Sequence, residues 1–274
     1  MTSTPEEFQV QLKASGDVGV LEWSGRASQE VVDRAVSLAA DDGLIGRGLR
    51  RIEVSLPSTD AVGRRALHRA GFRLEGTRRQ AITLPDGSHG DVVLYARLAD
   101  DLVYGPGGFT GVMNAVLPRK RLIAHALITD PWDRVCLLET TFKPDWELPG
   151  GIVNPLESPW DGAVREIDEE LALQHPVGRV LVVDWLAPYL GWEDAVELIF
   201  DGGALSQEQI DAIVPDPGEI RAVHWLAPDK AADKMAPFAR GRMLAAVACR
   251  LGGGSQYLER GLPRRDVPPP PALA

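Results

Sequence analysis

Between Trp146 and Leu173 the chain reads WELPGGIVNPLESPWDGAVREIDEELAL, and three of its carboxylates, Glu166, Glu169 and Glu170, stand at i, i+3 and i+4. On a helix that spacing gathers them over adjacent turns of one face, where like charges repel by roughly 0.2–0.5 kcal/mol per pair. Such a face calls for a cation. Hard carboxylate oxygens suit Mg²⁺, which commonly combines a few protein carboxylates with water and substrate phosphate oxygens. Just upstream, Pro149-Gly150-Gly151 lets backbone carbonyls approach the same ion, because glycine puts no side chain in the way. Arg165, eight residues after Glu157, is spaced to pin this loop to the helix through a forked ion pair. The competing reading is a solvated acidic helix, the commoner setting of a lone Glu-Glu pair.

The helix has a legible start. Ser158 is a hydroxyl N-cap, Pro159 falls in the first turn, and Asp161 lies near the positive end of the dipole. The helix should run to about Leu171, with Ala163, Val164, Ile167 and Leu171 on its apolar stripe.

This string resembles the Nudix box: Gly, five residues, Glu, seven residues, Arg-Glu-apolar-any-Glu-Glu-any-Gly-apolar. Gly151, Glu157, Arg165, Glu166, Ile167, Glu169, Glu170 and Leu173 fall in place, and only the final glycine departs, as Ala172. Six hydrophilic or glycine positions at ordinary usage would agree by chance on the order of 10⁻⁷ per start point. The resemblance implies, over about 117–262, an α/β/α sandwich with a mixed sheet. It implies Mg²⁺ or Mn²⁺ on Glu166, Glu169 and Glu170, with the Gly151 carbonyl as a further ligand and Gly150, Glu157 and Arg165 shaping the loop. The implied chemistry is hydrolysis of a diphosphate linkage in a nucleoside diphosphate derivative, with a metal-activated water as nucleophile. In this family the general base varies. Glu219, in Asp216-Pro217-Gly218-Glu219, is the candidate, with an ordinary loop glutamate as the equal alternative.

Trp185, Pro188, Tyr189 and Trp192 follow the box by 12–19 residues, where many Nudix proteins place substrate-facing residues. They read either as a stacking shelf for a base or as loop packing. A proline near this offset resembles the ADP-ribose-cleaving subgroup and a tyrosine one residue later the dinucleoside-polyphosphate subgroup; Pro188-Tyr189 satisfies both. His125, His175 and His224 stand singly and read as packed or solvent-facing rather than as metal ligands.

The elements that must position these residues occupy only part of the chain. At 274 residues and 45% apolar content, the chain fits one large domain or two ordinary ones. Asp100 to Gly108 concentrates breakers, which divides the chain into a first domain at 1–104, a linker at 105–116, a second domain at 117–262 and a proline-rich, disordered tail at 263–274. Of the net charge of −10, the first 104 residues carry −2, from 13 Lys and Arg against 15 Asp and Glu. The remainder carries −8, from 16 against 24. That acidity argues against a nucleic-acid coat. Two cysteines, Cys136 and Cys249, cannot build a disulfide framework. The start Met1-Thr2-Ser3-Thr4-Pro5-Glu6-Glu7 lacks the pattern of a leader peptide, and no apolar run reaches a membrane-spanning length. The expectation is a soluble, cytoplasmic protein with a small-molecule partner and no membrane partner.

In the first domain the order of signals is β-β-α-β-α-β-β, with strands near Phe8–Lys13, Val18–Trp23, Arg51–Leu56, Ala81–Leu84 and Asp91–Leu98. Ala70-Gly71-Phe72 with Glu75-Gly76, followed by Asp91 to Leu98, is similar to the C-terminal half of a GNAT-type acetyltransferase. Gly25 and Ala27 keep two positions of that family's loop for the acyl-CoA pyrophosphate. An acid, Glu22, stands where the family has a base or amide, and about 100 residues are too few for the full domain. The resemblance therefore implies a truncated, non-catalytic domain for dimerisation or ligand binding. Its sheet face, lacking the missing elements, should need cover, which favours a homodimer or pairing with the second domain. A non-catalytic sensor of a nucleotide or acyl-CoA is the rival to a hydrolase, as is a bifunctional protein with residual acetyltransferase activity.

Overall fold

The computed structural model describes residues 8–101, 103–104, 108, 110–111, 113–114 and 117–264. The expected linker and proline-rich tail lie largely outside the described residues. The chain divides into two compact units, Met1–Pro118 and Arg119–Ala274.

In the first unit, β1 (Gln9–Ser15) and β2 (Val18–Ser24) form a hairpin closed at Ser15↔Val18. Helix α1 (Gln29–Asp41) follows, then β3 (Arg51–Pro57), α2 (Ala61–Arg69), β4 (Arg73–Thr83) and β5 (His89–Leu98). The sheet order is β1-β2-β3-β5-β4. Both helices cover one face, where Val32, Val36, Ala66 and Leu67 pack with Leu21, Ile52, Val54, Leu56 and Tyr95. Strand β4 starts well before Ala81. Its first half, RLEG, is charged and lies on a sheet edge exposed to solvent, so it lacks the alternation that marks a half-buried strand.

The other sheet face departs from the expectation that it needs cover. It carries ion pairs, Lys13 with Glu22 across β1 and β2, and Arg51 with Glu53 on its own strand and with Glu75 of β4. Charged pairs of this kind are stable in water.

The second unit contains β6 (Arg121–Thr129), β7 (Val135–Thr140), β8 (Gly150–Ile152), α3 (Pro159–Leu171), β9 (Val180–Leu186), β10 (Ala195–Ala204), α4 (Gln207–Asp211), β11 (Ile220–Leu226), α5 (Pro228–Ala232), α6 (Pro237–Gly252), β12 (Gln256–Glu259) and β13 (Leu262–Pro263). Its mixed sheet runs β11-β7-β6-β10-β9-β12-β13, with β8 on β6. Two cores make it a three-layer sandwich. Ala163, Ile167 and Leu171 of α3 pack on Ala124, Ala126 and Ile128, while Met243 and Ala246 of α6 pack on Leu127, Leu181 and Ile199.

Strands β6 and β7 are joined by the short connection at Asp130–Arg134 but do not form a continuous hairpin. They pair only at Thr129↔Val135 and then separate, β6 running parallel to β10 and taking β8 alongside. That separation brings the Gly150–Gly151 segment into the sheet. Cys136 and Cys249 are buried free thiols. Among the described residues no helix is long and apolar enough to cross a membrane.

Candidate functional site

Helix α3 starts as its sequence requires. Ser158 Oγ accepts the Asp161 N–H at 3.1 Å and Pro159 occupies the first turn. Its last position, Ala172, lies at φ 51°, ψ 37°, the left-handed cap conformation. This explains the glycine of the family pattern, since a Cβ there is strained by roughly 1 kcal/mol. Ala172→Gly should therefore raise the free energy of unfolding by about 0.5–1 kcal/mol without altering activity, as read by urea melts. A loss of stability would show that the cap costs alanine nothing here.

Arg165 is the hub of the loop. Its Nε and Nη2 fork onto the two oxygens of Glu157 at 2.8 and 3.0 Å, and Nη2 also reaches the Ile152 carbonyl at 3.0 Å. Its Nη1 reaches Glu166 at 3.0 Å and Glu169 at 2.7 Å. The Arg165 fork and the Asn154 N–H hold the Glu157 carboxyl down to about 2. The segment between β8 and α3 is thus tied to the helix at both ends.

The three glutamates do not share one stripe. Glu170 is buried and its Oε2 accepts the Gly150 N–H at 2.8 Å. Glu166 is half-buried, with its carboxyl group against Gly151: a Cβ on Gly151 would lie 2.7–2.9 Å from it. Glu169 is exposed and turned to Arg165. Among the described residues no three His, Cys, Asp or Glu side chains converge as a ready ligand set. The cause is the register of the helix, which rolls Glu170 toward the core beside Ile167 and Leu171 while Glu169 faces water.

The charge at this point is nonetheless in excess. Burial pushes the Glu170 carboxyl up to about 8, against the Gly150 N–H that favours its anion, and Glu147, Glu166 and Glu219 add to the rise. Burial likewise raises Glu166; Arg165 opposes it, and Glu169 and Glu219 reinforce it. Hard oxygen donors crowded beside a side-chain-free glycine fit a divalent cation of the Mg²⁺ or Mn²⁺ kind.

Glu219 is brought to this group from another element. The Asp216 N–H donates to the Glu170 carbonyl at 3.1 Å and the Thr141 N–H to the Glu219 carbonyl at 2.8 Å, so its loop is anchored to both α3 and β7. Glu147 is the acid that sequence reasoning missed. Its place two residues before Pro149 was a usable signal; the Leu138↔Glu147 bridge ties it to β7, and its charge raises the Glu170 carboxyl.

The aromatic segment after β9 has a structure of its own. Pro188 to Asp194 line an open surface hollow. Trp185 donates Nε1–H to Asp194 at 3.2 Å, Tyr189 meets Phe238 edge to face, and the Arg121 guanidinium lies 4.6 Å above the Trp192 ring. Ala195 is opposite Arg121 and Ile123 opposite Ile152, so this loop and the Gly151 loop leave the sheet at the same end. Of the three histidines, His125 pairs with Glu197, His175 with the Gly202 carbonyl, and His224 with Glu139 while stacking on Trp146. In the first unit Gly25 has φ +84°, between β2 and α1. Ser28 stands at the α1 N-cap, but its side chain makes no cap bond.

The second unit is a three-layer α/β/α domain with carboxylates beside the Gly150–Gly151 segment. Residues 119–247 match the NUDIX domain family, and this part of the chain is a NUDIX domain. The human m7GpppN-mRNA hydrolase NUDT17 is 36% identical over 141 residues, 44% of this chain and 43% of that protein. Human diphosphoinositol polyphosphate phosphohydrolase 3-alpha is 35% identical over 81 residues, 29% of this chain and 44% of that protein. The chain spans less than half the length of these curated relatives. A ribosomal-protein-S5-alanine acetyltransferase from Vibrio fischeri is similar to 34% of this chain over 55% of its own, at 20% identity and a TM-score of 0.31.

Proposed function

We propose that the chain is a Mg²⁺- or Mn²⁺-dependent hydrolase of a diphosphate linkage in a nucleoside diphosphate derivative. The observation that carries this is the pair of carboxylates at the Gly150–Gly151 segment, Glu170 accepting the Gly150 N–H and Glu166 lying against Gly151, with the charge of Glu219 near enough to raise both. When bound, the cation supplies a lowered pKa for water and neutralises charge on phosphate oxygens. Glu166 and Glu170 would hold it, Glu169 would join them on leaving Arg165, and the Gly151 carbonyl would be a further ligand. Arg165 and Glu157 keep the turn against α3. Glu219 accepts the proton of the attacking water, and the leaving phosphate departs as an anion. Trp185, Pro188, Tyr189 and Trp192 offer the base or sugar a surface at the same end of the sheet.

The test is a Mg²⁺-supplemented panel of ADP-ribose, nucleotide sugars, dinucleoside polyphosphates and nucleoside triphosphates. Capped RNA and a diphosphoinositol polyphosphate are added because the relatives are named for them. Turnover of at least one is expected. Glu219→Gln should lower kcat on the order of 10²-fold while leaving Mn²⁺ affinity near that of the unsubstituted chain. Tight, metal-independent nucleotide binding with no turnover would favour a sensor instead.

For the first unit we infer a non-catalytic, ligand-binding role, which rests on Gly25 and Ala27, the two positions of the acyl-CoA pyrophosphate loop that the sequence keeps. Calorimetric titration with acetyl-CoA checks it, and absence of heat would refute it.

A further inference from the structure

Behind the Gly150 turn, on the sheet face opposite α3, lies an array of buried charged side chains that the proposed reaction does not use. His125 belongs to β6 between Ala124 and Ala126, which face α3, so its ring points to the α6 side. Its Nδ1 lies 2.9 Å from Glu197 Oε1. The second oxygen of Glu197 accepts from Arg242 of α6, which also reaches Asp184 at 3.3 Å. Asp184 in turn accepts the Gly261 N–H at 3.0 and 3.1 Å. All four side chains are buried.

As a contribution to stability this array is poor. Glu197 and Asp184 are direct cross-strand partners on β10 and β9, where like charges repel. Burial keeps the Asp184 carboxyl up at about 6 even beside Arg242. A buried ionic cluster is generally no better for stability than apolar residues of the same volume. Its position offers another reason for it. His125 is the register partner of Gly150. A Cβ on Gly150 would lie 2.6 Å from His125 Cα and 3.0 Å from ring carbon Cδ2, so the ring edge is packed against the turn. The N–H of the same Gly150 holds Glu170.

We propose that His125 is a positioning residue: its ring, on the α6 side beside Glu197, Arg242 and Asp184, fixes the Gly150 turn by packing against it and thereby presents Gly151 and Glu170 to the metal. This rests on the metal-dependent reading above. Two substitutions separate ring from hydrogen bond. His125→Asn keeps a donor toward Glu197 and removes the ring edge, whereas His125→Phe keeps the ring and removes the donor.

Mn²⁺ titration of the full chain followed by electron paramagnetic resonance reads the outcome, with thermal melts as the control. His125→Asn is expected to bind Mn²⁺ roughly ten-fold more weakly, with a melting midpoint near that of the unsubstituted chain. His125→Phe is expected to melt lower but bind Mn²⁺ as the unsubstituted chain does. Unchanged affinity in His125→Asn, or equal weakening in His125→Phe, would overturn the proposal, and either variant decides alone if the other does not fold. Failure of the unsubstituted chain to bind Mn²⁺ would overturn the metal-dependent reading and this inference together. Normal binding there with unaffected His125→Asn overturns only the inference.

Discussion

Glu170→Gln is expected to reduce hydrolysis by on the order of 10²–10³-fold or more, while the chain stays folded. The substitution keeps the volume of a buried side chain and leaves a carbonyl oxygen for the Gly150 N–H, so the backbone of the turn retains its acceptor. It removes an anion that burial and three neighbouring carboxylates already disfavour. Without metal, the melting midpoint should therefore equal or exceed that of the unsubstituted chain. What disappears is the anionic oxygen a divalent cation needs. Initial rates on the best substrate of the panel, with melts in chelator, check both halves. Unchanged turnover would sink the assignment of the site, and a collapse of the fold would show Glu170 to be structural. The contrast with Glu219→Gln is in the metal: there affinity should survive while turnover falls, because a proton acceptor is lost rather than a ligand.

The residues of this site were legible because local rules write them into a short stretch. Ser158, Pro159 and Asp161 start a helix by satisfying its own end, and Arg165 reaches Glu157 across a fixed number of residues. Helical periodicity could not show that Glu170 turns inward while Glu169 stays in water, since that depends on the roll of α3 against β6 and β8. Glu147 and His125 escaped for a different reason. Their relation to the site is cross-strand, through Leu138↔Glu147 and His125↔Gly150, and register between distant strands leaves no mark at either residue alone. The same holds for the outer face of the first sheet. Lys13, Glu22, Arg51 and Glu75 look like unrelated surface charges until β1, β2, β3, β5 and β4 are set side by side.

Gly150→Ala and Gly151→Ala, neighbours in sequence, should fail in opposite ways. At Gly150 the backbone has φ +132°, and a Cβ would lie 2.3 Å from the Ala124 carbonyl oxygen and 2.6 Å from His125 Cα. Both are main-chain atoms of β6, an interior strand of the sheet, and cannot yield without breaking β6–β8 pairing. Loss of about 3 kcal/mol or more is expected, seen as a greatly lowered melting midpoint or insoluble protein. At Gly151 the nearest atoms belong to the Glu166 carboxyl group, the far end of a flexible side chain. It can swing aside, so the fold should survive with a midpoint close to that of the unsubstituted chain. Its displacement takes an oxygen from the position the cation requires, and Mn²⁺ affinity should fall ten-fold or more, with turnover falling in step. Gly151→Ala with normal affinity would place the ion away from Glu166. Gly150→Ala with a normal midpoint would mean that the turn can move off β6, in which case it is too mobile to hold Glu170 through its N–H.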